Sequence, residues 1–135
     1  MEVGTELLRA SWSSQEPHTT LRLARELANG WRRRVLSHAE AEEQDVFPRV
    51  IERLPELRPV VTALIRDHEL MRLLVDEAER ELGREGQVTA AVMDRFTALL
   101  HVQRLHSAFE EETFLPQVSG SLTREAQPSE GAADS

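Results

Sequence analysis

The chain has 135 residues, of which 40% are hydrophobic and 30% are charged, a composition typical of one globular domain. It contains no cysteine, which excludes disulfides, thiolate zinc sites, iron–sulfur clusters and cysteine nucleophiles, so histidine nitrogens and carboxylate oxygens must supply any metal ligands. The formal net charge of −8 argues against nucleic acid as a partner, because phosphate contacts need a basic face.

The first segment, MEVGTELLRASWSS, lacks the basic stretch and the apolar core of a secretory signal. No part of the chain approaches the roughly 20 apolar residues that a membrane helix needs. These features predict a cytoplasmic protein without a membrane partner. Residues 2–12 are expected to form a first helix that is short or irregular, and Pro17 suits the first turn of the next helix.

Helical periodicity dominates the remainder, in three long segments that cover residues 19–54, 57–82 and 88–118. Short links between long amphipathic helices favour antiparallel neighbours. The sequence therefore predicts an all-α fold, an up-down antiparallel four-helix bundle spanning residues 1–118. Residues 119–135 are polar, contain Gly, Ser and Pro, and are expected to form a disordered C-terminal tail.

An internal repeat is the most informative feature of the chain. The segment HAEAEEQDVFP, which begins at His38, recurs without a gap as HSAFEEETFLP, which begins at His106. Residues i and i+4 lie on one helix face, so the pairs His38/Glu42 and His106/Glu110 can each reach one ion. Both pairs lie on the apolar stripes of their helices, where an unpaired carboxylate would be costly to bury. Two exposed pairs on charged helix faces are the alternative; two facing pairs predict a His₂Glu₂ metal core.

Two further histidines are candidate ligands. His68 lies in the middle of the apolar stripe of the third long segment, and we interpret it as a ligand rather than a core residue. His18 points away from His38 if residues 19–54 form one unbroken helix, and approaches it only if Asn29-Gly30 forms a turn. The predicted metal ligands are therefore His38, Glu42, His68, His106, Glu110 and, as a rival candidate, His18.

Other polar residues of the repeat region have less certain roles. His101 lies about 140° around the helix from His106 and is expected off the ligand face. Glu43, Glu111 and Glu112 are expected to be solvated, although Glu43 and Glu111 are placed where a carboxylate could support a ligand from behind.

The segments HAEAEEQDVFP, RDHELMRLL and HSAFEEETFLP resemble the second, third and fourth helices of hemerythrin-like, HHE cation-binding domains in order, spacing and flanking residues. The resemblance covers residues 34–118. It implies a bundle whose core holds two non-haem irons. It also implies terminal ligands at His38, His68 and His106, and bridging carboxylates at Glu42 and Glu110.

The chain departs from the family pattern in two places. Arg72 stands one turn after His68, where the family often supplies a second ligand, and the histidine of the family's first helix has no unambiguous counterpart. The repeat would place that counterpart before Met1, which indicates a shortened first helix or an incomplete N-terminus. A short first helix would leave a groove along the other helices, and such a groove predicts a homodimer or a protein partner.

The resemblance implies a protein that binds oxygen, nitric oxide or peroxide at iron, or that senses iron or redox state. One alternative is a di-iron ferroxidase or peroxide-reducing enzyme, which would need an electron route in a chain without Tyr or Cys. The other is a metal-depleted helical interaction module of the same family, whose histidines and glutamates would be exposed or paired with arginine.

Overall fold

The computed structural model describes residues 1–125 and places side chains as far as residue 121. Within that range the chain forms four helices and no strand. They are α1 (Glu2–Ser13), α2 (residues 17–53), α3 (Arg58–Glu85) and α4 (residues 90–125). The all-α class and the short first helix are confirmed. No helix in the described range is both long and apolar enough to cross a membrane.

Ion pairs between neighbouring helices show how the bundle is threaded. Near the middle of α2, Arg32 pairs with Glu79 of α3, whereas Glu43, further along α2, pairs with the earlier residue Arg72. From α3 to α4, Glu77 pairs with Arg95 while Asp67 pairs with His106. In both sets of ion pairs, residue numbers rise along one helix as they fall along its neighbour. Helices α2 and α3, and likewise α3 and α4, are therefore antiparallel neighbours.

The helix ends follow local sequence signals. Pro17 occupies the first turn of α2. The helix ends at Arg53, and Leu54 links it to a 3₁₀ turn at Pro55–Leu57. The side chain of Thr89 accepts a hydrogen bond from the backbone of Val92 and caps the start of α4. Helix α4 continues to Glu125, beyond residue 118 where the domain was expected to end. The rest of the expected disordered tail, residues 126–135, lies outside the described residues.

Two glycines near the end of α3 differ in the conformation they require. Gly86 follows the helix at φ +66°, a left-handed conformation that costs a side-chain-bearing residue free energy, whereas Gly83 is helical and a Cβ there would meet open space. We expect Gly86→Ala to lower the free energy of unfolding by about 1 kcal/mol and Gly83→Ala to raise it by about 0.5 kcal/mol. Urea unfolding of both variants tests this pair, and a loss of stability in Gly83→Ala would contradict it.

The buried apolar side chains form two clusters at different heights in the bundle. One surrounds Trp31 and Phe96 and includes Leu8 of α1. The other surrounds Phe47, Phe114 and Leu64, and only α2, α3, α4 and the 3₁₀ turn contribute to its buried members. Three of the buried polar residues, Glu42, His68 and His106, lie at the level between the two clusters, where a bundle must satisfy them with one another or with a ligand.

Helix α1 covers only the first of these clusters. Its start lies beside Gly30 of α2, where a Cβ would come 2.9 Å from Cε of Met1, and Glu2 pairs with Arg104 of α4. His38 and Glu110 lie further along their helices, past the point that α1 reaches. The half of the bundle that contains the second cluster is therefore built from three helices.

Candidate metal centre

Five of the six predicted ligands meet at the level between the two apolar clusters. Helix α2 supplies His38 and Glu42, α3 supplies His68, and α4 supplies His106 and Glu110. The side chains differ in exposure: Glu42, His68 and His106 are buried, Glu110 is partly buried, and 72% of the His38 side chain is exposed. The most exposed of the five, His38, lies on the side of the bundle that α1 does not cover.

The three buried residues form the tightest group. One potential ligand atom from each of Glu42, His68 and His106 lies within 4.8 Å of the other two. Nε2 of His68 lies 3.3 Å from Nε2 of His106 and 3.5 Å from Oε1 of Glu42. Glu110 adds a carboxylate oxygen 3.2 Å from Nε2 of His106, and Nε2 of His38 lies 3.6 Å from Oε1 of Glu42. The donors thus converge on one small volume.

The other ring nitrogen of each buried histidine fixes its orientation. Nδ1 of His68 donates to Oε2 of Glu43 and Nδ1 of His106 donates to Oδ2 of Asp67, each over 3.0 Å. With the proton on Nδ1, both Nε2 atoms present lone pairs toward each other, an arrangement that is repulsive unless a cation or a proton lies between them. Two nitrogens that bind one ion at about 2.1 Å and at right angles lie about 3 Å apart, close to the observed separation.

Arg72 does not contact the candidate ligands directly but acts through Glu43. It donates to both oxygens of Glu43, whose other contact is His68. Burial raises the pKa of Glu43, but the hydrogen bonds with Arg72 and His68 outweigh it and hold that pKa below its usual range. Glu43 is therefore a charged acceptor that orients His68, and Arg72 neutralises it. Sequence reasoning had left Glu43 between a solvated and a supporting role.

Asp67 was missed by sequence reasoning altogether. It precedes His68 in the chain but supports His106 of the next helix, and it has no counterpart in the internal repeat that could have signalled its role. Burial lowers the pKa of His106, but the hydrogen bonds that it donates to Glu110 and Asp67 outweigh burial and raise that pKa above its ordinary value. The bond with His106 in turn lowers the pKa of Glu110.

Removing the carboxylate of Asp67 should weaken metal binding without removing a ligand. We expect Asp67→Ala to lower metal affinity about 10- to 100-fold, the usual cost of losing the group that orients a ligating histidine. Glu69→Ala, an exposed carboxylate on the same helix, is the matched control and should change affinity less than twofold. Competition with a chromophoric chelator measures both, and equal affinities in the two variants would contradict a supporting role for Asp67.

Both copies of the repeat contain a π-helical turn at the same position, Glu42–Val46 and Glu110–Phe114. The N–H of Phe47 donates to the carbonyl of Glu42, five residues back, and the second copy repeats this bond at its own glutamate. A proline follows each turn after one intervening residue, Pro48 in the first copy and Pro116 in the second. Because proline lacks an N–H and clashes with the carbonyl four residues earlier, the wider turn accommodates it inside a continuous helix. Each π turn begins at a candidate carboxylate ligand.

The remaining histidines lie away from the centre. Helix α2 runs unbroken from residue 17 to residue 53, so the alternative in which Asn29-Gly30 forms a turn is wrong. His18 is exposed at the start of that helix, about 30 Å along it from His38, and the structure does not bring it to the other candidates. His101 is exposed on α4, as expected, and so are Glu111 and Glu112.

Comparison with known proteins agrees with the geometry. The family model described as Hemerythrin HHE cation binding domain matches residues 3–118. The match begins in α1 and ends in α4, so it includes all four helices and every residue of the centre. No curated protein and no solved structure matches the chain.

Proposed function

We propose that this chain, which belongs to the hemerythrin HHE cation-binding family, binds non-haem iron, with two ions as the expected number. The proposed ligands are His38, Glu42, His68, His106 and Glu110. The bound iron would then take up oxygen, nitric oxide or peroxide, or report iron or redox state. His18 has no part in this proposal, because of its position at the far end of α2.

One observation carries the proposal: the Nε2 atoms of two buried histidines lie 3.3 Å apart, and a carboxylate accepts a hydrogen bond from the opposite nitrogen of each ring. A histidine that ligates a metal commonly donates its other ring N–H to a carboxylate, which fixes the orientation of the ring. Imidazole and carboxylate donors fit iron, and they also fit manganese and zinc. The family is the reason for proposing iron.

The position of Glu42 favours two ions. Its Oε1 lies within 3.6 Å of histidine nitrogens on two sides, His38 on the solvent side and His68 on the buried side. A carboxylate between two histidines that are not in contact with each other is placed to bridge, as glutamates do in dinuclear bundle sites. Glu110 lies beside His106 and supplies the second carboxylate.

The chain's own groups prepare the site for a small ligand. Bound iron supplies a Lewis-acidic, redox-active centre. The ring of Phe47 stacks on His68 at 5.9 Å, and Phe47 and Phe114 cover the centre from the second apolar cluster, which keeps water from that side. The opposite side opens into a cavity of about 290 Å³ between α2 and α4. Small ligands therefore have a route to the metal from the side that α1 leaves uncovered.

Metal content and near-ultraviolet absorption of protein supplied with iron test this proposal. We expect about two irons per chain and a ligand-to-metal charge-transfer band, both lost in Glu42→Ala and Glu110→Ala and retained in the exposed control Glu112→Ala. A folded protein without metal would overturn the proposal and favour a helical interaction module. Turnover of peroxide or of ferrous iron by the loaded protein would favour the enzyme alternative over ligand binding or sensing.

The interaction-module alternative predicts that the candidate histidines and glutamates are exposed or paired with arginine, and the buried candidates are neither. Among the described residues, Glu42 and Glu110 contact histidines, and Arg72, one turn after His68, pairs with Glu43 instead. A second copy or another protein across the uncovered side of α2 and α4 stays a prediction, as does a cytoplasmic location.

A further inference from the structure

The cavity at the centre is larger than a diatomic ligand needs. Its volume is about 290 Å³, whereas one water occupies about 30 Å³ in the liquid. The metal candidates form its inner wall. Its mouth is polar and lies between Arg34 of α2 and the α4 residues Gln103, Ser107 and Glu111. The space suits an organic molecule of several non-hydrogen atoms that reaches from the mouth to the ligands.

Arg34 is the positively charged residue at the cavity mouth, and its guanidinium makes no ion pair among the described residues. Of the three consecutive arginines on α2, Arg32 is held by Asp76 and Glu79 of α3. Arg33 is exposed and does not line the cavity, whereas Arg34 lines it. Within the described part of the chain Arg34 has no hydrogen-bond or ion-pair partner. It stands one helical turn before His38, so its guanidinium can project over the exposed edge of the metal candidates.

The charges of the cavity make anion binding dependent on metal. Glu42, Glu110 and Glu111 line it and outnumber Arg34, so the metal-free cavity disfavours an anion. One divalent ion at the inner wall cancels that excess of negative charge, and two reverse it. A planar guanidinium at one end and a metal at the other then match a carboxylate, which guanidinium binds through two parallel hydrogen bonds.

We propose that this cleft is a binding site for a small organic acid, whose carboxylate Arg34 holds at the mouth while the rest of the molecule reaches the metal. The inference rests on the proposed metal centre. Gln103 and Ser107, on the facing helix, offer an amide and a hydroxyl to the same ligand. A site of this kind makes the small acid either the substrate or the signal of the metal centre.

Calorimetric titration of succinate into the zinc-loaded protein tests the inference without relying on activity. We expect succinate to bind the loaded parent and not the metal-free parent, and its neutral analogue succinamide to bind at least 10-fold more weakly. Arg34→Ala should lower succinate affinity about 10- to 100-fold, as for a lost charge-assisted pair, and Arg34→Lys should recover part of it. Arg33→Ala is the matched control and should stay within twofold of the parent.

Zinc affinity of Arg34→Ala, measured in parallel, separates the outcomes. A parent that binds neither zinc nor iron overturns the proposed metal centre and this inference together. A loaded parent that binds no succinate, or equal succinate affinity in the parent and in Arg34→Ala, overturns the acid site alone. Tighter binding of inorganic phosphate than of succinate, lost in Arg34→Ala, would overturn its assignment to carboxylates.

Discussion

Replacing His68 by alanine should abolish metal binding by this chain, with an expected loss of at least 100-fold in affinity for iron or zinc. His68 lies deepest in the centre, at 1% exposure, and its Nε2 is within 3.5 Å of both Glu42 and His106. Losing this ring therefore removes a ligand and also the group through which Glu43 and Arg72 organise the site. Equilibrium competition against a chelator measures the loss.

The control is His101→Ala, which removes an exposed histidine from α4 and should leave affinity unchanged. Unfolding with and without metal gives a second readout, because a ligand present at 100 times its Kd stabilises the folded state by about 2.7 kcal/mol. The parent and His101→Ala should show this gain, and His68→Ala should not. Retention of the metal-dependent gain in His68→Ala would rule out His68 as a ligand.

Replacing Phe47 by alanine should lower the free energy of unfolding by about 3 to 5 kcal/mol, a large part of the stability of a domain of this size. Phe47 is 1% exposed, stacks on His68 and meets Phe114 edge-on at 5.7 Å between ring centres. Its removal leaves a cavity next to the metal centre that three helices cannot easily collapse. Metal affinity should fall as well, because the ring that holds the plane of His68 is gone.

Val46→Ala is the matched control, since Val46 is adjacent in sequence but 43% exposed, and it should cost less than about 1 kcal/mol. Phe47→Leu, which refills most of the volume but cannot stack on His68, should recover much of the stability and less of the metal affinity. Urea unfolding of the metal-free proteins measures the first quantity and chelator competition the second. Equal stabilities of Phe47→Ala and Val46→Ala would show that the second apolar cluster does not depend on this ring.

The sequence was sufficient for the features that depend on local geometry. Residues one turn apart on a helix must share a face, so the contact between His106 and Glu110 could be predicted from spacing alone, and burial of His68 followed from its position in the stripe. The ends of α3 could be placed because Pro55 and Gly86 act through their own backbone preferences. None of these assignments requires knowing which helix is the neighbour.

The features that depend on neighbours could not be predicted in the same way. Glu43 and Glu111 occupy equivalent positions of the repeat, yet Glu43 is half-buried against α3 while Glu111 is exposed at the cavity mouth. The difference arises because α3 packs beside α2 at that height and α1 does not reach α4 there. Asp67 is hidden for the same reason, since its partner His106 belongs to another helix.

The continuity of α2 is a case in which a local sequence signal predicts a turn that does not form. Asn29-Gly30 has the residues of a turn, and only the surrounding packing decides that the helix continues through it. Gly30 is buried beside Met1, the residue before α1, and an added Cβ would come 2.9 Å from the flexible end of the Met1 side chain. The glycine leaves room for the start of α1 beside α2. His18 is kept from the centre by the continuity of α2, which places it about 30 Å along the helix from His38.

The exposure of His38 also bears on how fast a bound ion can leave. The other four proposed ligands are partly or fully buried on α2, α3 and α4, whereas 72% of the His38 side chain faces solvent. If His38 ligates an ion, that ion would be held at one position by a surface imidazole that can rotate away with no helix displaced, which would leave this position open to a chelator. Metal occupancy would then follow the ambient supply of metal on the timescale of one ligand exchange. Because α1 does not extend over His38, it would leave that exchange fast.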